Sequence, residues 1–247
     1  MLSWRERCLL GIQRVLAQAF APLTWLLTVG WMRLGRRYRI LDRSAVRRRF
    51  RDLLVEGDGP VIVCANHLTV IDSLLLIWAL ASVWNGALKS ALFPWNVPEK
   101  SNYYKNPLLC AFCYLGKCLP IVRRGPRVEI RKVLDRVAYL LTRGESVMLF
   151  PEGGRSRSGR VSLENFAYGV GTVLQEVPRA RVLCVYLRGV EQGGFCDLPP
   201  SGERFYVDLK MLTPRTEQTG RRGARDLATQ VVETLVEMEC RYFEKSA

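Results

Sequence analysis

Short apolar runs alternate with longer amphipathic segments along most of the 247-residue chain. Apolar runs bounded by glycine, proline and polar residues are typical of buried strands, and apolar positions three or four apart are typical of helices. The pattern predicts strands at Val61–Ala65, Ala87–Leu92, Cys118–Val122, Val147–Phe150, Arg181–Leu187 and Phe205–Lys210. It predicts helices near Ser44–Val55, Ser73–Val83, Pro107–Leu115, Arg127–Arg143, Asn165–Glu176 and Arg221–Phe243. The alternation indicates one α/β domain over residues 41–247, in which helices flank a mixed central sheet.

An apolar stretch at Val15–Met32 precedes this domain and approaches the length of a bilayer span. Trp25 and Trp31 are of a residue type that favours the headgroup region. Nine arginines follow within Arg33–Arg51, and such a basic segment beside an apolar helix favours anionic lipid. We therefore expect residues 1–40 to form a membrane-associated helical segment with a basic flank, which either lies in the interface or crosses it. The alternative is a buried core helix followed by a solvated basic helix.

The formal net charge of +14 indicates a negatively charged partner. Nucleic acid, an anionic membrane and a phosphorylated substrate all meet that description. The aromatic residues lie in the apolar segment and are not interleaved with the arginines as stacking platforms, which disfavours nucleic-acid binding. We expect the partner to be membrane lipid, at the cytoplasmic face of the cell membrane. The sequence sets no oligomeric state.

The eight cysteines follow no regular spacing, and several lie inside apolar runs. Cys110-x-x-Cys113 resembles half of a zinc site, but no second such pair exists. Free thiols in a reduced compartment are therefore expected, with no bound metal.

Two polar clusters follow predicted strands. The segment Asn66–Asp72 comes directly after the strand Val61–Ala65 and contains His67, the single histidine of the chain. The segment Pro151–Arg160 comes directly after the strand Val147–Phe150. Open α/β sheets place their ligand sites at the carboxyl ends of strands, so both clusters are candidate parts of a site.

The first cluster has the composition of a general base with an orienting acid. Residues five apart are rotated by roughly 140° in a helix, so His67 and Asp72 meet only if the chain turns between strand and helix. Asp72 is suited to cap a helix that starts at Ser73. Its carboxylate would then hold one imidazole nitrogen and leave the other basic. The alternative is a surface histidine beside an ordinary capping aspartate.

The second cluster has the composition of a phosphate site. Gly153 and Gly154 allow backbone amides to approach an anion, while Arg155 and Ser156 supply a guanidinium fork and a hydroxyl. Glu152 is the odd charge, suited to order the loop or to bind a substrate hydroxyl. The alternative is a charged surface loop. Arg123 or Arg124, after the predicted strand Cys118–Val122, points to the same sheet edge.

Asn-His-x4-Asp followed by Phe-Pro-Glu-Gly-Gly-Arg-Ser resembles the glycerolipid acyltransferase family, over roughly residues 55–190. The resemblance implies that His67 is the base, that Asp72 orients it, and that the acceptor hydroxyl attacks an acyl thioester without an acyl-enzyme. It implies contacts to the acceptor phosphate from Arg123, Glu152, Gly153, Gly154, Arg155 and Ser156. The donor would be acyl-CoA or acyl carrier protein, with no cofactor. The apolar segments Ser73–Trp84 and Val15–Met32 are candidates to line the acyl tunnel.

The acceptor expected from the resemblance is a lysophospholipid, and foremost 1-acylglycerol 3-phosphate. Gly154 stands where lysophosphatidate enzymes often have threonine, and Leu115–Ile121 is similar to a stretch of tafazzin-type enzymes. Glycerol 3-phosphate and other lysolipids therefore stay as alternative acceptors. From another class, a phosphate- or nucleotide-binding membrane protein without catalysis is the alternative. It is disfavoured because Arg160 and Val161 follow Gly159, where a P-loop needs lysine and then serine or threonine.

Overall fold

The computed structural model of the chain describes residues 2–81 and 93–246. Its strands are β1 (Arg39–Ile40), β2 (Val61–Ala65), β3 (Trp95–Asn96), β4 (Val147–Leu149), β5 (Arg181–Gly189) and β6 (Arg204–Leu212). They form one sheet in the order β1-β6-β5-β2-β4-β3. Neighbouring strands run parallel except β5 and β6, so the sheet is mixed, as predicted.

Helices precede, separate and follow the strands. They are α1 (Trp4–Gly30), α2 (Arg43–Val55), α3 (Asp72–Leu80), α4 (Pro107–Leu115), α5 (Arg127–Thr142), α6 (Gly169–Glu176) and α7 (Gly220–Ser246). A π-helical turn at Trp31–Gly35 continues α1, and a short 3-10 helix lies at Lys100–Asn102. β1 lies at the junction between the predicted segment 1–40 and the predicted domain 41–247.

The two faces of the sheet bury separate apolar clusters. Every residue of β2 and β5 is buried, and alternate side chains of β2 enter opposite clusters. Ile62 and Cys64 pack with α5, α6 and α7, whereas Val61 and Val63 pack with α2 and α3. This two-sided burial explains why the central strands are continuous apolar runs in the sequence. The predicted α/β class with flanking helices is confirmed.

The predicted strand Cys118–Val122 is wrong. Only two isolated parallel bridges occur there, Asn96 with Cys118 and Glu99 with Ile121. Leu119 N donates to Asn96 O at 2.8 Å and Ile121 N donates to Pro98 O at 3.0 Å. Pro98 has no N–H to donate, so the parallel pairing is broken between the two bridges.

Other departures from the predicted elements concern their ends and the shortest strands. The predicted strand Ala87–Leu92 lies outside the described residues, as does the end of the predicted helix Ser73–Val83. Helix α6 begins at Gly169 and not at Asn165, because Ala167 N donates to Pro151 O at 2.7 Å and so takes no part in a helical turn. β1 and β3 were not predicted, since two residues carry no readable periodicity.

Candidate active site

The two polar clusters lie at the carboxyl edge of the sheet, where β2 and β4 run side by side. Cys64 pairs with Leu149 in this register, so the segments after the two strands leave the sheet next to each other. The Asn66 side chain extends the pairing of β2 with β5. Its Nδ2 donates to Leu187 O at 2.9 Å, and its Oδ1 accepts from Leu187 N at 2.7 Å. The turn at His67 therefore starts from a fixed point.

The structure brings His67 and Asp72 together. His67 Nδ1 lies 2.9 Å from Asp72 Oδ2, which also accepts from the amides of Leu68 at 2.6 Å and Thr69 at 2.8 Å. Asp72 Oδ1 accepts from the Thr69 hydroxyl at 2.5 Å. An ionised carboxylate only accepts, so this arrangement places the proton of the neutral imidazole on Nδ1 and leaves a lone pair on Nε2.

Asp72 has a different local contact from the one predicted. Helix α3 begins at Asp72 itself, and its N-cap residue Ile71 has no oxygen in its side chain. The carboxylate reaches back to the turn at Leu68–Thr69 and does not cap a helix starting at Ser73. That expectation is wrong, because both carboxylate oxygens are held by the turn and by the imidazole.

The backbone of His67 is held on both sides by the segment after β4. His67 N donates to Glu152 Oε1 at 2.9 Å, and Ser156 N donates to His67 O at 2.8 Å. The imidazole stacks on the ring of Phe150, with ring centroids 4.2 Å apart and an interplanar angle of 22°. The two clusters therefore form a single unit, in which the second positions the imidazole of the first.

The Glu152 carboxyl group is largely buried, and two other acids, Glu239 and Asp72, lie close enough to act on its charge. Burial raises the pKa of Glu152 to about 8, and the charges of Glu239 and Asp72 add to the rise. The bond from the His67 amide acts in the opposite direction. At neutral pH the protonated, uncharged form of Glu152 is therefore favoured.

The two glycines after Glu152 differ in their backbone conformation. Gly153 has a φ of 64°, in the left-handed region, and its N–H donates to Phe150 O at 3.0 Å. A Cβ at Gly153 would come within 3.2 Å of the Ala167 Cβ. A Cβ at Gly154 would meet only Arg123 Nη1, at 3.7 Å. Gly153 therefore shapes the turn, and Gly154 places its backbone beside a guanidinium.

Arg123 and Arg155 supply the positive charge of the site. Burial lowers the pKa of Arg123, Glu99 raises it, and Arg155 lowers it further, so the two guanidinium groups interact. Glu99 Oε2 accepts from Arg123 N at 2.9 Å and lies 3.9 Å from Arg123 Nε. Arg155 forms an ion pair with Asp197 through Nη1. Both arginines line the same cavity as His67.

That cavity has a volume of about 280 Å³ and a largely apolar lining. Seven of the apolar side chains come from α1 and the turn after it, from α3 and from α4: Trp25, Val29, Met32, Leu74, Ile77, Leu109 and Phe112. Both of the segments predicted to line an acyl tunnel therefore contribute to it. The cavity joins a histidine, two arginines and an apolar surface.

A model of the family described as Acyltransferase matches residues 39–188 of the chain. The chain belongs to the acyltransferase family. The predicted resemblance is thereby confirmed at the level of the family, and the matched residues include both polar clusters and Arg123.

A relative from Arabidopsis thaliana is named 1-acyl-sn-glycerol-3-phosphate acyltransferase LPAT1, chloroplastic. This acyltransferase chain is 32% identical to it over 120 residues. The aligned part covers 49% of the chain and 30% of the Arabidopsis protein, so most of that protein lies outside the match.

Two of the residues expected to contact an acceptor phosphate make other contacts in this acyltransferase structure. Glu152 accepts from the His67 amide, as described above. The Ser156 hydroxyl donates to Arg160 O at 2.6 Å and so closes its own loop. Of the predicted residues, Arg123 and Arg155 line the cavity, and Gly154 lies beside the Arg123 guanidinium. Arg157, also in the second cluster, is exposed.

Sequence reasoning missed several residues that build this candidate site. Three acids bond to the site loops or to the arginines from distant positions in the chain: Glu99, Asp197 and Glu239. Asn66 bonds to strand β5 at Leu187. Asn66 had a signal, since it directly precedes the histidine after a strand. The three acids had none, because their positions depend on the tertiary fold. Among the described residues, no cluster of three or more His, Cys, Asp or Glu side chains is arranged to hold a metal ion.

Proposed function

We propose that this protein transfers a fatty acyl group from an acyl thioester to the hydroxyl of a phosphate-bearing lysolipid, foremost 1-acylglycerol 3-phosphate. One observation carries the proposal: a histidine oriented by a buried aspartate lines the same apolar cavity as two arginines. The name of the Arabidopsis relative supports this acceptor. The donor is an acyl thioester of CoA or of acyl carrier protein.

His67 acts as the general base through Nε2. As the acceptor oxygen attacks the thioester carbonyl carbon, its proton moves to Nε2 and a C–O bond forms. The tetrahedral intermediate then collapses, the C–S bond breaks, and the leaving sulfur takes the proton from the imidazolium. Asp72 keeps the proton on Nδ1 and stabilises the transient positive charge. The ester and the free thiol leave, and no acyl-enzyme forms.

Arg123 and Arg155 bind the acceptor phosphate, with the Gly154 backbone beside them. Guanidinium groups suit phosphate because they donate two parallel hydrogen bonds. Binding the phosphate away from the reacting hydroxyl aligns that hydroxyl with the base, which lowers the entropic part of the barrier. Glu152 and Ser156 act as positioning residues that hold the His67 backbone. The acyl chain occupies the apolar part of the cavity.

The protein lies on a membrane through α1, along the interface. The stretch Trp4–Gly35 is long and apolar enough to cross a membrane, and 17% of its most apolar window is buried. The helix and the turn after it are nevertheless attached to the domain at several points. Glu6 pairs with Arg136 at 3.1 Å, the Gln13 amide donates to Tyr114 O at 3.0 Å, and Met32 is fully buried in the core.

These attachments support an interfacial placement and not a span. A helix crossing the bilayer would carry its attachment points on the domain, among them Arg136, into the hydrocarbon region, where charged groups are costly. The exposed side of α1 is apolar, with Leu23, Leu26 and Leu27 all more than half exposed. The basic segment that follows α1 would contact anionic headgroups at the cytoplasmic face, where acyl thioesters are available.

The proposed function is tested by acyl transfer from labelled acyl-CoA and acyl carrier protein to a panel of acceptors, with His67→Ala as the blank. The panel contains glycerol 3-phosphate, 1-acylglycerol 3-phosphate, lysophosphatidylglycerol and a lyso-aminolipid without phosphate. We expect product formation to depend on His67 and to be greatest with 1-acylglycerol 3-phosphate, the lysolipid that carries a phosphate monoester. Equal product with the phosphate-free acceptor would contradict the role of the arginines, and no product with any acceptor would contradict the function.

A further inference from the structure

The loop between β5 and β6 returns to the active site and contacts the residues after His67. Cys196 N donates to Leu68 O at 3.3 Å, and Val70 N donates to Asp197 O at 3.1 Å. These backbone bonds hold the middle of the loop against the catalytic turn. The main chain of the loop is therefore held directly against the residues that follow His67.

The Asp197 side chain uses this placement to reach Arg155. Its carboxylate pairs with Arg155 Nη1, and the ring centroid of Phe195 lies 4.8 Å from the Arg155 guanidinium carbon. The Asp197 side chain is 75% exposed, whereas that of Arg155 is 28% exposed. The exposed Asp197 carboxylate is thus paired with the guanidinium of Arg155, which lines the cavity.

The other arginine has a different relationship to its acid. The Glu99 carboxylate is anchored on the Arg123 backbone amide at 2.9 Å, and its side chain is 18% exposed. Its nearest approach to the Arg123 side chain is 3.9 Å. Glu99 is fixed and touches the guanidinium only loosely, whereas Asp197 is exposed and bonds directly. Of the two acids, Asp197 is the one that an incoming anion can displace.

We propose that Asp197 is a specificity-determining residue that occupies, on Arg155, the position taken by the acceptor phosphate. The inference rests on the proposed function. An acceptor phosphate displaces the Asp197 carboxylate and leaves that charge nearby, so Asp197 weakens the binding of acceptors in proportion to their negative charge. A phosphate monoester, with a charge near −2, is affected more than a phosphodiester with a single charge.

The test compares Asp197→Asn with Glu191→Gln. Asparagine keeps the backbone bond to Val70 and removes the competing charge. Glu191 is an exposed acid of the same loop, paired with Arg204 at 3.5 Å, and provides the matched control. In Asp197→Asn, the KM for 1-acylglycerol 3-phosphate should fall about two- to fivefold, the range of an exposed ion pair. The KM for lysophosphatidylglycerol should fall less, and the KM for the acyl donor should not change.

A second arm measures binding without turnover. Glycerol 3-phosphate is titrated calorimetrically into His67→Ala and into the His67→Ala/Asp197→Asn double variant, and the double variant should bind it more tightly by the same factor. Equal or weaker affinity in the double variant, or a KM for the monoester that rises in Asp197→Asn, overturns the inference. If no transfer depends on His67, the proposed function fails, and the calorimetric arm alone decides the role of Asp197.

Discussion

The Glu152 carboxyl group links the protonation of the site to the stability of the fold. With a pKa raised from 4.5 to about 8, the folded protein keeps a proton between these values that the unfolded chain releases. This contribution to stability is fully present below pH 4.5 and is lost as the pH rises through about 8.

Replacing Glu152 by glutamine should remove this pH dependence. The amide oxygen can still accept from the His67 amide, while no charge forms in the buried site. Glu152→Gln should therefore match the wild type near pH 5 and exceed its free energy of unfolding by roughly 1–4 kcal/mol near pH 9. Urea unfolding at both pH values, with the exposed Glu164→Gln as control, measures the difference. The same difference at both pH values would contradict the account.

Gly153 and Gly154 differ in whether the backbone conformation itself requires glycine. At Gly153, the φ of 64° and the approach of Ala167 make a side chain costly, so Gly153→Ala should lower the free energy of unfolding by about 1–2 kcal/mol. At Gly154 an added Cβ makes only an ordinary contact, so Gly154→Ala should stay within about 0.5 kcal/mol of the wild type. Equal losses in thermal unfolding would show that the left-handed turn is not what requires Gly153.

Among the elements, α1 is the one through which we propose that the protein binds the membrane. Leu26 is 66% exposed on the face that we place in the membrane. Leu26→Asp should leave thermal unfolding in detergent unchanged and weaken binding to anionic vesicles by at least about tenfold, since a buried leucine side chain contributes roughly 1.5–3 kcal/mol. Sedimentation with vesicles measures this binding. Unchanged vesicle binding would show that Leu26 does not contact the membrane.

Elements whose pattern depends on local burial could be predicted from the sequence, whereas elements whose ends depend on contacts with distant residues could not. β2 and β5 were predicted because burial on both faces makes each strand a continuous apolar run. The segment Cys118–Val122 has the same kind of composition, but its pairing fails at Pro98, on a different part of the chain. Likewise the start of α6 depends on the bond between Ala167 and Pro151. The local sequence shows the burial pattern of a segment but not its bonds to distant residues.

Across the whole molecule, the same division applies to the site. His67 and the cluster after Glu152 were predicted to share a sheet edge because each follows a strand, and the parallel pairing of β2 with β4 makes them neighbours. Asp197 and Glu239 reach the site from the loop between β5 and β6 and from α7. Glu239 accepts from Val161 N at 3.2 Å and so supports the loop from behind. Only the tertiary fold brings these acids to the site.

In the proposed reaction, His67, held by Asp72, performs the proton transfer that accompanies acyl transfer. The single-turnover rate of His67→Ala at saturating donor and acceptor, with unfolding measured on the same protein, tests this role of His67. We predict a rate lower by about 10²–10⁴-fold in a protein that folds normally, as expected for a positioned general base. A rate within about threefold of the wild type would contradict it.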